Sequence, residues 1–140
     1  MPKELRERDF TVPVKQYKDI DLCLRRNPVT GDIAVKKGEA AIQQALKNLM
    51  LTRKGEKLFQ PGVGSNIQNL LFEPLDEFAA DRLELELINN VAQFDSRIEV
   101  VDIDIIPMFD DDAYYANMTY RIIGEPIVEE LNFVLKRPGI

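Results

Sequence analysis

Apolar positions in this chain follow two different periods in succession. After Gly38, the residues Ile42, Leu46, Leu49 and Met50 recur at the i, i+4, i+7, i+8 spacing of one helical face, with Ala41 and Ala45 beside it. Gln43, Gln44, Lys47 and Asn48 fall opposite, so a first helix is expected here. Residues 52–55 end it, with Arg53 and Lys54 suited to the negative end of the helix dipole and Gly55 able to take a left-handed backbone. Residues 57–65, which hold Pro61, Gly62 and Gly64, read as a loop. Asn66 is then placed to cap a short turn through Ile67, Leu70 and Leu71, and Pro74 stops it. A second, longer helix fits residues 75–94, where Ala80, Leu83, Leu87, Val91 and Phe94 share a stripe while Asp81, Arg82, Glu84 and Glu86 face water.

Past Arg97 the period becomes two. Ile98 and Val100, then Val101, Ile103 and Ile105, alternate with Asp102 and Asp104. Tyr114, Ala116, Met118, Tyr120 and Ile122 form a second alternating set, and Ile127, Glu129, Leu131, Phe133 and Leu135 a third. Short joins at residues 109–113 and 124–126 make an antiparallel meander the simplest topology. Residues 1–37 carry only short apolar pieces (Phe10, Val12, Val14; Ile20, Leu22, Leu24) around the turn group Asn27, Pro28 and Gly31, which reads as an extended arm with one or two strand fragments. The expected fold is α+β: two main helices packed on a small antiparallel sheet of about three C-terminal strands, with an N-terminal arm over 1–37 and the main domain over 38–140.

At 140 residues and 45% hydrophobic content, the chain can bury one sizeable core but hardly two. A net charge of -6 opposes a broad grip on phosphate backbones, so nucleic acid is not an expected partner. Cys23 has no second cysteine to pair with, and reads as a small buried or half-buried apolar residue in a protein made in reducing cytoplasm. The opening MPKELRERDF lacks the apolar core of a secretory signal, and no apolar run approaches the roughly 20 residues of a membrane span. A soluble chain without a membrane partner is expected.

Histidine is absent, which removes the commonest general base and metal ligand together with every imidazole-dependent triad. Glu56, Glu73, Asp76, Asp95 and the run Asp110, Asp111, Asp112 could supply a glycosidase acid and base, but a sequence shows neither their burial nor their separation. The aspartate run suits a hairpin turn and lacks the spaced ligands and glycine of a calcium loop. Gly62 and Gly64 are not followed by the Lys-Ser/Thr pair of a phosphate-binding loop. No catalytic residue, metal site or cofactor is therefore assigned. Arg53, Lys54 and Lys57 form either a small cationic patch or ordinary helix-end charge complementarity. Arg97, beside Asp95 and Ser96, sits between helix and strand, where its planar fork can lock the junction or bind a carboxylate across an interface.

The order of helix, TRKGE turn, Pro/Gly loop, LLFEP, long helix and three strands resembles the phage baseplate wedge proteins that initiate the contractile tail sheath. A lysozyme-like component of the type VI secretion baseplate is related to them. The resemblance covers roughly residues 38–135 and rests on 51–55, on the spacing to Leu70, Leu71 and Phe72, and on IIPMFDD at 105–111. Members carry a Glu-Pro-Arg triad after the long helix that docks on the wedge core; Asp95, Ser96 and Arg97 stand at that place, with the acid shortened and the proline lost. Glu73 and Pro74 precede the long helix and do not match the triad.

The resemblance implies a structural virion protein, assembled in the bacterial host cytoplasm and sited in the tail baseplate. Its implied partners are other baseplate wedge proteins, the tail sheath protein and the tail tube, with copies in a hexameric ring. The implied partner-binding residues are Asp95, Ser96 and Arg97, with Arg53, Gly55 and Glu56 in the turn, and Ile127, Glu129, Leu131, Phe133 and Leu135 on the last strand. That strand either offers an open edge to sheath strands or lies inside the meander. A peptidoglycan-cleaving lysozyme-like activity, or a place in a type VI baseplate, is the alternative reading.

Overall fold

The computed structural model describes residues 17–139, so the apolar trio Phe10, Val12 and Val14 lies outside the described residues. The chain divides into two compact units, Met1–Ile42 and Gln43–Ile140.

In the first unit, β1 (Lys18–Ile20) pairs antiparallel with β2 (Val35–Lys37), setting Ile20 against Val35. The connection is turned by Asn27, whose Oδ1 accepts a hydrogen bond from the Val29 amide at 2.9 Å, and by Gly31 at φ 73°. Asp21 is buried and anchors the hairpin: it accepts from the Cys23 amide and faces Arg25 at 3.3 Å and Lys36 at 3.8 Å. Cys23 itself is exposed, contrary to the sequence expectation. The buried place is taken by Asp21, and the chain turns outward through Leu24 at φ 51°.

Helix α1 (Glu39–Leu51) begins before the division and ends after it, with Ile42, Leu46 and Met50 buried as their spacing predicts. Gln44, expected toward water, is buried as well, since it stands one turn from Ala41 at the margin of the apolar face. Within the second unit, the single turn α2 (Ile67–Leu70) packs on α3 (Glu77–Phe94). α3 starts at Glu77, not residue 75, because Asp76 is extended and its carboxylate caps the helix by accepting from the Ala79 amide at 2.7 Å. Ala80, Leu83, Leu87 and Val91 form the buried stripe that lies on the sheet.

That sheet is the meander β3 (Ile98–Met108), β4 (Ala113–Ile122) and β5 (Val128–Lys136), with β4 in the centre. Ile98, Ile103 and Ile105 on β3 meet Ile122, Met118 and Ala116, which in turn face Leu131 and Phe133 on β5 across Met118 and Ala116. Full burial of side chains such as Leu83, Leu87 and Met118 contributes about 1.5–3 kcal/mol each. One sequence expectation needs correcting here. Val101 does not join Ile103 on the apolar face; the register shifts between Val100 and Asp102, leaving Val101 as the extra residue of a bulge and 54% exposed. The bulge lets Ile98 and Val100 share a face with Ile103 and Ile105 although the spacing changes phase between them.

Candidate functional site

Three neighbourhoods in the second unit hold the residues singled out from the sequence. The first is the loop after α1. Thr52 closes the helix by bonding back to the Asn48 carbonyl, and Ser65 returns to the same point, donating through its amide to Thr52 O and through Oγ to Met50 O at 2.7 Å. Between these ends the Gly55 amide donates to Pro61 O at 2.9 Å, and the Glu56 carboxylate accepts from the Arg53 amide at 3.0 Å. Glu56 thus braces the turn from within. Gly64 lies so close to Arg53 that a Cβ would come within 2.6 Å of the Arg53 carbonyl carbon, and its φ of 130° also demands glycine.

Arg53 and Lys54 stand beyond the last turn of α1, and Lys54 pairs with Glu86 of α3 at 3.7 Å. Glu86 also accepts from the Asn66 amide at 2.7 Å, so it ties α3 to the loop and does not simply face water. Asn66 precedes α2 without capping it by side chain; its Oδ1 accepts from Asn69 Nδ2 instead. Arg53, Lys54, Ser65, Asn66, Gln68 and Asn69 line a polar cavity of about 160 Å3. At the far end of the loop Leu58 is 81% exposed and Phe59 99% exposed, the latter with φ 68°. Sequence reasoning passed over this pair, although two large apolar residues between Lys57 and Gln60 in a Pro/Gly loop were a visible signal.

The second neighbourhood is the junction of α3 and β3. Asp95 ends α3 and is 6% exposed, while Arg97 donates Nε to its Oδ1 at 2.8 Å and Nη2 to its Oδ2 at 2.6 Å. The Arg97 amide adds a third bond to Oδ1 at 3.1 Å, and its carbonyl accepts from the Ile123 amide. The pair joins the end of α3, the start of β3 and the end of β4 into one corner, with Ser96 exposed at its tip.

The third is the edge strand β5, which among the described residues pairs only with β4. Leu131 and Leu135 are buried, Glu129 and Phe133 half-buried, and Val128, Glu130, Asn132, Val134 and Lys136 exposed. Ile127, assigned from the sequence to this strand's inner face, precedes β5 and is exposed, because the strand begins only at Val128. Asn132, Phe133, Val134 and Leu135 border an apolar groove of about 290 Å3 with Lys47, Met50 and Leu51 of α1.

In the turn between β3 and β4, Asp112, at φ 48°, receives Arg137 at 2.6 Å, and Arg137 Nε donates to the Leu71 carbonyl at 3.1 Å. Arg137 therefore clamps the β3–β4 turn to the LLFEP segment. In that segment Glu73 pairs with Arg82 of α3, and the buried Tyr114 hydroxyl points at the Pro74 carbonyl, 3.4 Å away. Burial is the main cause of a Tyr114 phenol pKa raised above its ordinary value.

Comparison with known proteins adds a consistent set of relatives. The family model described as baseplate wedge protein gp25 matches residues 36–127, ending one residue before β5. Baseplate wedge protein gp25 of Enterobacteria phage T4 is 28% identical over 112 residues, covering 80% of this chain and 84% of that protein. Among solved structures, a Geobacter sulfurreducens protein assigned as a tail lysozyme superposes with a TM-score of 0.64 at 17% identity, over 70% of this chain and 89% of that one. A chain of the anti-feeding prophage baseplate gives 0.60 at 16% identity, over 88% and 87%. A chain of the postcontracted pyocin R2 baseplate gives 0.50 at 15% identity, over 81% and 98%. At these identities the structural likenesses speak for the fold.

Proposed function

The chain belongs to the baseplate wedge protein gp25 family, and from that premise we propose that it docks on the wedge core of a phage tail baseplate and starts the tail sheath by strand pairing. Its role as a structural component of a contractile-tail baseplate, in association with other baseplate proteins, rests on the family match over residues 36–127. Docking is assigned to the Asp95, Ser96 and Arg97 corner together with the Arg53, Gly55 and Glu56 turn. Both are braced by internal hydrogen bonds, and a preorganised surface loses little freedom on binding. Sheath initiation is assigned to β5 on a single observation: its outer edge has no strand partner among the described residues, so a row of backbone groups is open to an incoming strand. Copies form a hexameric ring around the tail tube in this reading, assembled in the host cytoplasm and carried in the virion.

The protein acts without catalysis in this proposal. Copurification with the wedge and sheath proteins of the same tail tests the assembly role, and a parallel incubation with peptidoglycan tests the enzymatic alternative. Formation of a stable complex without muropeptide release supports the proposal. Release that a single Asp or Glu substitution abolishes would replace it with the lysozyme-like reading.

A further inference from the structure

The tip of the loop after α1 holds an aromatic side chain in a position that the fold of the isolated chain does not reward. Phe59 is 99% exposed and its neighbour Leu58 81% exposed, so neither adds appreciably to a core. Phe59 also has φ 68°, a left-handed backbone that side chains with a Cβ adopt at some energetic disadvantage. The loop is nevertheless held from several sides. Gln60 N donates to Lys57 O, Val63 N to Gln60 O and Gly55 N to Pro61 O, and Gly64 is pressed against Arg53 at its base. A strained, exposed aromatic on a braced loop is the form of a preorganised binding anchor, whose backbone has little freedom left to lose when the ring enters a partner's pocket.

Charge narrows the partner. The chain carries a net -6, yet Lys57 adjoins this tip in sequence while Arg53 and Lys54 stand at the base of the loop, where the Glu56 carboxylate accepts from the Arg53 amide. Lys54 is paired with Glu86, which leaves Arg53 and Lys57, both exposed, to shape the local field. We infer that Leu58 and Phe59 insert into an apolar pocket rimmed by carboxylates on another protein of the baseplate wedge. This deepens the docking role proposed above and rests on it. An anionic lipid surface is the other chemistry a basic aromatic tip can meet, but the net negative charge of the chain opposes adsorption there.

The test uses wedge complexes of the same tail assembled without this chain, titrated with the full-length protein and with Phe59→Asn, since asparagine tolerates a left-handed backbone. Phe59→Asn is expected to weaken binding by about 30-fold or more while the isolated variant melts at or above the wild-type temperature. Lys57→Gln is expected to flatten the fall in affinity with rising salt. Binding by Phe59→Asn within threefold of wild type would overturn the inference and leave the wedge reading intact. A clear drop in melting temperature would also overturn it, by making Phe59 a structural residue. If the wild-type protein does not bind the complexes, or binds vesicles of phosphatidylglycerol through Phe59 instead, the wedge reading falls and this inference with it.

Discussion

Arg97 grips Asp95 from two residues away through parallel hydrogen bonds of 2.8 and 2.6 Å, turning the exit of α3 into a fixed corner at the start of β3. The acid is nearly buried, at 6%, while the guanidinium side chain keeps 32% of its surface. That asymmetry decides what substitution does. Arg97→Ala strands a carboxylate in a poorly solvated place, whereas removing both partners does not.

Arg97→Ala is therefore expected to lower stability by about 1–3 kcal/mol, less than a fully buried pair because solvent reaches the arginine. Asp95→Ala with Arg97→Ala should recover part of that loss, and urea unfolding of the four variants in the cycle measures the coupling. If Arg97 also docks on the wedge, Arg97→Lys should bind more weakly than wild type, since lysine lacks the planar fork. Unchanged affinity for Arg97→Lys would confine the pair to the junction.

Gly64→Ala should destabilise the protein by about 3 kcal/mol, combining an unfavourable backbone angle with a clash against the Arg53 carbonyl. Gly62→Ala provides the control, because a Cβ there meets nothing within 4 Å. Chemical denaturation separates the two, and equal losses would mean that the loop can relax away from Arg53.

Tyr114 makes stability depend on alkaline pH. Burial, aided by the carboxylates of Asp76 and Glu73, raises its pKa against the opposing effects of an Asp76 backbone hydrogen bond and the Arg137 charge. The unfolded chain then loses its phenolic proton at a lower pH than the folded one, so stability is fully present below about pH 10 and declines above it. Tyr114→Phe should flatten that decline in thermal melts between neutral pH and pH 11. At neutral pH the change should stay within about 1 kcal/mol, because the bond to Pro74 O is long at 3.4 Å. An identical alkaline decline in both proteins would show that other groups set it.

Asn132→Pro removes a backbone donor from the exposed middle of β5, where Asn132 stands opposite Asn117. With the fold retained by circular dichroism, sheath nucleation should drop at least about tenfold while wedge binding stays close to wild type. Sheath growth followed by light scattering, beside wedge binding of the same variant, provides the comparison. Equal loss of both, or unfolding, would assign β5 to the domain core.

The periodic patterns carried the elements because each depends on neighbours a few residues away. The stripe through Leu83, Leu87 and Val91 and the alternation through Tyr114, Ala116 and Met118 need only helix and strand geometry, and the turn glycines need only local backbone freedom. The family resemblance likewise lay in local motifs in order, from the TRKGE turn to the IIPMFDD strand end. What only the tertiary structure decided involves partners distant in sequence or a choice among equivalent neighbours. Arg137 reaching Asp112 and Leu71, and Glu86 reaching Lys54 and Asn66, are pairings across 20 to 66 residues that no period encodes. Val101 left the apolar face because β4 dictates the register of β3, and Cys23 stayed at the surface because Asp21 took the buried position with two cations beside it. The exposure of Phe59 belongs to the same class: a loop sequence names the residue, but only the packing around it shows that none of the described residues covers the ring.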